Sequence, residues 1–372
     1  MSGKGKIGTR AQVPLDTPEQ LAEHYTPGVA EVAERVAADP GALARETARS
    51  NAVAVVSDGS ALLGLGDRGP AAALPVMEGK AALLKRFADV DAWPVCPVSR
   101  DPDDLLRTAR DLATSFGAVN LEDIAAPRCF EVERRLQDEL DVPVFHDDQH
   151  GTAIAVLAAL RNALQLTDRE AAGTSVVVSG AGAAGSAVAR LLLEQGYPAE
   201  LLFVCDSKGV LHTGREGLDD EKRWLAEHTN TGGAKGGLTD VLRGADVFVG
   251  VSTGGLLSGD DIAAMARDPV VFALANPDPE VDPEAARRRA AVVATGSSDF
   301  PNQINNVLVF PGVLRGLLDG GSRRVTSGVQ VAAADALSRL PGADLSADRV
   351  VPSVFDERVV ARVASAVADA CS

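Results

Sequence analysis

The run Val176-Val177-Val178-Ser179 leads directly into Gly180-Ala181-Gly182-Ala183-Ala184-Gly185 and then into an Ala/Leu-rich stretch. This Gly-x-Gly-x-x-Gly pattern between a strand and a helix constrains the chain more than any other feature. The first glycine permits a tight turn, the second lets a phosphate approach the backbone, and the third lets helix and strand pack closely. Ala183, Ala184 and Gly185 open the helix, so their N–H groups have no intrahelical acceptor and face a bound pyrophosphate. The pattern alone is a weak signal, because glycine-rich turns are common. It becomes specific when a carboxylate ends the next strand, and Asp206 directly follows Leu201–Cys205. Asp206 could accept the ribose hydroxyls of NAD, although a lone carboxylate is ordinarily a solvated turn residue. Ser207 and Lys208 come next and Lys222 and Arg223 lie further on, offering hydrogen bonds and positive charge to the 2′-phosphate of NADP. The sequence leaves the choice between NADP and NAD open.

At 372 residues the chain exceeds what one hydrophobic core usually serves. The reading is α/β throughout, with an N-terminal α/β domain over residues 1–150 and a C-terminal Rossmann-like dinucleotide-binding domain with a parallel sheet over residues 151–372. Strands of the second domain are expected at Ser175–Ser179, Leu201–Cys205, Asp246–Val251, Val270–Ala275 and Ala291–Thr295. Its helices are expected at Ala183–Gln195, Asp260–Arg267, Asn306–Leu318 and Asp356–Ala370. In the first domain, strands at Val53–Ser57, Ala92–Cys96, Ala118–Leu121 and Val142–Phe145 alternate with helices such as Pro102–Ala113 and Ala126–Glu139. A helix from near Gly151 to about Leu166 bridges the halves, and the polar segment Gly214–Gly237 reads as a surface excursion.

A net charge of −16 repels nucleic acid and anionic membranes, and makes a small dianion dependent on local positive charge for binding. No apolar run approaches the ~18 residues of a membrane helix. The N-terminus lacks the apolar core of a secretory signal. Cys96, Cys129, Cys205 and Cys371 show neither zinc nor disulfide spacing. A cytoplasmic protein without nucleic-acid or membrane partners is expected.

Two acidic pairs end first-domain strands, Glu122-Asp123 and Asp147-Asp148. Buried carboxylates are costly unless neutralised, and a hard cation such as Mg2+ or Mn2+ prefers such oxygen donors. Either pair alone reads as a helix cap; two pairs beside a dehydrogenase-type domain favour a metal. His146 and His150 flank the second pair without an HExxH, which argues against zinc. Tyr25 stands in a Pro/Gly turn and Lys80 at the start of an otherwise apolar helix. Spacing alone does not distinguish either from packing or solvation.

Over nearly its whole length the chain resembles the bacterial malic enzymes. The resemblance rests on YTPGVAEV from Tyr25, VAVVSDGSALLGLGD from Val53, PVMEGKAAL from Pro75, NLEDIAAPRCFEVERRL from Asn120 and VPVFHDDQHGTAIAVL from Val142. It continues through SGAGAAGSA from Ser179, FALANPDPE from Phe272 and PNQINNVLVFPGV from Pro301. It implies a homodimer that oxidatively decarboxylates malate to pyruvate and CO2 with NADP or NAD and Mg2+ or Mn2+. Glu122, Asp123 and Asp148 resemble the metal ligands, Lys80 the base for the C2 hydroxyl and Tyr25 the acid at C3. Asn276, Asn305 and Asn306 resemble the amides that hold substrate and nicotinamide, although an Asn cluster ordinarily forms turns. Ala61 stands where larger members of the family carry an arginine, which the short bacterial members also lack, whereas Arg68, Asp278 and Ser297 depart from common residues of the family, which raises a malate analogue as substrate. A malolactic variant and a catalytically silent dinucleotide-binding protein are the other rivals.

Overall fold

A computed structural model describes residues 5–371. The exposed N-terminal arm carries helices α1 (Pro18–His24), α2 (Val29–Ala38) and α3 (Ala42–Glu46), and neither α1 nor α2 has a buried residue. The first sheet follows, built from β1 (Ala52–Val56), β2 (Asp91–Val95), β3 (Ala118–Leu121) and β4 (Val144–His146) in the order β2-β1-β3-β4, all parallel. Helices α4 (Pro70–Ala88), α5 (Pro102–Ala113) and α6 (Arg128–Glu139) connect its strands. Parallel strands covered on both faces are apolar along their length, as in β1, and β3 is likewise buried throughout with Asn120 as its polar residue. Pro94, which cannot donate to a ladder, lies in the edge strand β2.

Helix α7 (Thr152–Leu166) buries eleven of its residues and joins the first sheet to the second. The second sheet holds β5 (Val176–Ser179), β6 (Leu202–Asp206), β7 (Gly209–Val210), β8 (Val247–Gly250), β9 (Val270–Ala273) and β10 (Val292–Thr295) in the order β10-β9-β8-β5-β6-β7. Only β7 runs antiparallel to its neighbour. Its helices are α8 (Ala183–Glu194), α9 (Asp220–His228), α10 (Leu238–Leu242), α11 (Gly259–Ala263) and α12 (Pro283–Arg287). The chain ends in α13 (Phe310–Gly320), α14 (Ser327–Ser338) and α15 (Arg358–Ala370). One buried cluster runs from Val53 and Met77 through α7 to Val176, Phe310 and Val363, so the two sheets share a core. In α13, a Cβ on Gly316 would lie 2.5 Å from the Ala364 carbonyl oxygen, which shows how closely α13 and α15 approach. Among the described residues no helix is long and apolar enough to cross a membrane.

All the expected strands form, with ends displaced by up to two residues. Three readings need correction. Lys80, expected at the start of a helix, lies in the interior of the 19-residue α4, which begins at Pro70 and accommodates Pro75 inside. The expected helix Asp260–Arg267 shortens to α11. Gly214–Gly237 is more than an excursion: α9 buries Leu225 and Ala226, and Trp224 lies under the Arg190 guanidinium at 3.5 Å.

Candidate active site

In each sheet the strand order reverses beside its first strand, and ligands of open α/β sheets bind at the carboxyl ends of strands at such a switch point. In the first sheet the reversal falls between β1 and β3. β1 leads to Ser57 and Asp58, β3 leads to Glu122 and Asp123, and the Glu122 N–H bonds the Val56 carbonyl at 3.0 Å. β4 delivers Asp147 and Asp148 beside them. Asp147–Gly151 is a wide π-type turn, and a Cβ on Gly151 would lie 2.0 Å from Asp147 Oδ1.

Lys80 joins this group from α4. Its Nζ stands 2.8 Å from Glu122 Oε1, is paired with Asp147 Oδ2 and lies 4.0 Å from the centre of the Phe310 ring. Lys80, Glu122, Asp123 and Asp147 are all buried. Asn120 Nδ2 donates to Glu122 Oε2 at 2.9 Å, the Asp123 N–H donates to Asp148 Oδ2 at 2.8 Å, and Asn306 Nδ2 reaches Asp147 Oδ2. Burial lowers the lysine's proton affinity, yet Asp147 and Glu122 outweigh it and hold the ammonium. Burial followed by the neighbouring carboxylates pushes Asp123 up to about 8 and also raises Asp147; for Glu122 and Asp148 burial is the largest cause of the rise.

Of the four carboxylates only Glu122 and Asp147 pair with Lys80, and Asp123 Oδ2 and Asp147 Oδ1 are buried without a hydrogen-bond partner. This donor set fits a hard divalent cation. Among the described residues, however, no three side chains are already arranged as metal ligands, because Glu122 faces Lys80 and Asp148 bonds the Asp123 backbone.

The dinucleotide cradle lies at the second sheet's switch point, between β5 and β8. Gly180 has φ +119° and a Cβ there would lie 2.7 Å from the Val251 carbonyl oxygen, while one on Gly185 would lie 1.7 Å from the Gly180 carbonyl oxygen. A Cβ on Gly182 would meet nothing within 4 Å, so space remains where a pyrophosphate would approach Ala183, Ala184 and Gly185 at the start of α8. A cavity of about 780 Å³ extends from Gly180 and Gly182 past Asp206, Ser207 and Lys208 to Asp219, Lys222 and Thr253. These residues fit a dinucleotide.

The asymmetric part of the cradle is Asp206. Arg215, which the sequence reading did not single out, clasps both its oxygens at 2.8 and 2.9 Å. Lys222 Nζ adds a contact at 3.2 Å and the Lys208 N–H one at 2.9 Å. Although burial works against ionisation, these donors, Arg215 foremost, depress Asp206 to about 2. Arg223 turns away to Asp220 and the Leu218 carbonyl. The nearest sequence signal for Arg215 was its place in the same polar segment as Lys222.

The remaining residues divide. Asn305 caps the turn before α13 through the Val307 N–H, the ordinary role of such a residue, whereas Asn306 reaches the carboxylates. Asn276 is exposed beyond β9, with Nδ2 3.3 Å from the Leu274 carbonyl oxygen. Tyr25 is 65% exposed at the end of α1 and is not among the partners of the carboxylate group. Arg68 and Asp278 lie in exposed loops, and Ser297 bonds its neighbour Asp299. His146 is fully buried, and His150 pairs with Glu133.

Residues 4–103 match the family model for the malic enzyme N-terminal domain and residues 149–372 that for the malic enzyme NAD-binding domain. The chain is 49% identical over 369 residues to an NAD-dependent malic enzyme of Geobacillus stearothermophilus, covering 98% of this chain and 76% of the relative. It is 45% identical over 383 residues to an NADP-dependent malic enzyme of Halomonas elongata, covering 98% and 90%. The crystal structure of an NAD-dependent malic enzyme from Thermotoga maritima matches with a TM-score of 0.94 and 46% identity, over 98% of this chain and 96% of that one. The first model spans β1 and β2 and the second spans the whole second sheet with its glycine turn, while these relatives align along nearly the whole chain, and the chain therefore belongs to the malic enzyme family.

Proposed function

We propose that this chain oxidatively decarboxylates (S)-malate to pyruvate and CO2, with hydride transfer to a nicotinamide dinucleotide and with a divalent cation at the carboxylate cluster. The observation that carries this reading is the convergence of Lys80, Glu122, Asp123, Asp147, Asp148 and Asn306 at one strand edge, in a chain whose second sheet carries the dinucleotide cradle. In this reading residues 1–150 form the metal-binding and catalytic domain and residues 151–372 the dinucleotide-binding domain.

Glu122, Asp123 and Asp148 would hold Mg2+ or Mn2+, which supplies charge neutralisation and Lewis-acid polarisation of the substrate oxygen at C2. Lys80 takes the C2 hydroxyl proton as the hydride leaves C2. Asp147 and Glu122 favour its ammonium, so its action as a base requires positive charge at the cluster that offsets both carboxylates. Asp147, buried and bonded to Lys80 and Asn306, orients that amine. After CO2 departs from C3, Tyr25 donates the proton that completes pyruvate. Asn276 and Asn306 orient substrate and nicotinamide, and Asn305, whose Oδ1 caps the turn before α13, contributes by holding Asn306 in place.

NADP is the preferred cofactor in this reading. A carboxylate has about four lone-pair positions, and those of Asp206 already serve Arg215, Lys208 and Lys222. Little acceptor capacity remains for ribose hydroxyls, whereas the surrounding cations suit a phosphate. The working unit is a homodimer, the commonest closed assembly. The N-terminal arm supports it: Leu15, Leu21, Tyr25 and Val29 are each exposed, as apolar side chains that dock on a second copy would be in the single chain.

The test supplies malate, Mn2+ and either dinucleotide, and follows cofactor reduction together with pyruvate, lactate and CO2. Pyruvate with stoichiometric cofactor reduction supports the reading. Lactate without net reduction identifies the malolactic variant, and turnover restricted to another β-carboxylated 2-hydroxy acid identifies the analogue enzyme. Dinucleotide binding without any turnover identifies the catalytically silent protein.

A further inference from the structure

Glu133 is a buried carboxylate that the reaction above does not use. It sits on α6 at 5% exposure and accepts four hydrogen bonds. Oε1 receives the His146 N–H at 3.1 Å, His150 Nε2 at 2.8 Å and Gln137 Nε2 at 3.2 Å, and Oε2 receives Gln149 Nε2 at 2.9 Å. Three of these donors, on residues 146, 149 and 150, bracket Asp147 and Asp148. The segment they hold is the π-type turn, a rare backbone form that often marks functional sites. Its crowding against Asp147 at Gly151 leaves little room for an alternative path.

We propose that Glu133 is a positioning residue for divalent-metal binding. Anchored on α6, its carboxylate pins both ends of the turn and so fixes the direction in which Asp148 points at Asp123 and Asp147 at Lys80. The inference rests on the assignment of Glu122, Asp123 and Asp148 as the metal ligands. Glu133 touches none of the reacting atoms and acts only through residues 146, 149 and 150. Loss of such outer hydrogen bonds typically weakens metal binding by about 10–100-fold. Glu133→Gln keeps the size but turns an amide N–H2 towards Gln149 or His150, both of which donate to the carboxylate.

The experiment titrates metal-stripped protein with Mn2+, reading free Mn2+ by electron paramagnetic resonance, and separately titrates NADP by tryptophan fluorescence. Glu133→Gln is expected to weaken Mn2+ by about 10-fold or more while NADP affinity stays within about twofold. Gln149→Ala removes one of the four bonds, is expected to weaken Mn2+ several-fold, and decides the matter if Glu133→Gln does not fold. Unchanged Mn2+ affinity, or parallel loss of Mn2+ and NADP binding, overturns the positioning role. Failure of the unmutated protein to bind Mn2+ overturns the ligand assignment as well, whereas tight binding by both unmutated protein and variants overturns only the role of Glu133.

Discussion

Replacing Arg215 by alanine separates the two possible readers of the adenosine ribose. Arg215 and Asp206 form a two-pronged ion pair at 2.8 and 2.9 Å, with side chains 13% and 9% exposed, so solvent screens the contact only partly. A hydrogen bond to a charged group contributes about 1.5–3 kcal/mol, so losing the guanidinium from a 2′-phosphate should weaken NADP by roughly 10–150-fold. The same change frees acceptor positions on Asp206, so NAD should hold its affinity or gain. The NADP/NAD ratio of kcat/KM is therefore expected to fall at least about tenfold. Competitive inhibition by 2′,5′-ADP and by ADP, which lack the nicotinamide, should report the same shift without chemistry. Because Asp206 is depressed to about 2, it stays ionised across the working range, and the pH dependence of the ratio should follow the phosphate. NADP preference should rise as pH increases through about 6, where a phosphate monoester takes its second charge. A ratio unchanged within about twofold in Arg215→Ala would refute the argument and leave Asp206 as the reader.

The geometry of the glycine turn separates two neighbouring substitutions. Gly185→Ala, whose Cβ would sit 1.7 Å from the Gly180 carbonyl oxygen, should lose about 1–3 kcal/mol in thermal unfolding. Gly182→Ala has open space within 4 Å and should keep its Tm while losing dinucleotide affinity; equal Tm losses would contradict the steric reading. EDTA should abolish turnover, and Mn2+ should raise the Tm of the unmutated protein but not of Asp148→Asn, since a ligand stabilises only a fold that binds it. Equal Tm gains in both would remove Asp148 from the ligand set. Tyr25→Phe, which removes only a hydroxyl, should slow pyruvate formation while reduction of the keto acid persists; light scattering should report a dimer, and a fully active monomer would contradict that assembly.

Much of the fold was legible in the sequence because buried parallel strands carry their own signature. Val176–Ser179 and Ala118–Leu121 are buried on both faces and apolar apart from Ser179 and Asn120, so they read as strands without knowledge of their neighbours. The glycine turn was equally legible, since its conformational demands are met within six residues. The carboxylate pairs stood out because charge at the end of an apolar strand is costly without a partner.

What the sequence could not determine was which charges meet. In α6 nothing in the run Glu131-Val132-Glu133-Arg134-Arg135 sets Glu133 apart from its charged neighbours, yet packing against β4 buries it beneath the π-type turn. Lys80 was visible as a lysine in an apolar helix, but only the crossing of α4 over the first sheet brings it to Glu122 and Asp147. Arg215 looked like any surface arginine until the strand pair β6–β7 turned its segment back onto Asp206. Strand and turn formation depend on local periodicity and backbone sterics, which a one-dimensional pattern records. The pairing of charges depends on which segments the tertiary fold brings within about 3 Å while excluding water, and only there does the low local dielectric give the pairing its strength.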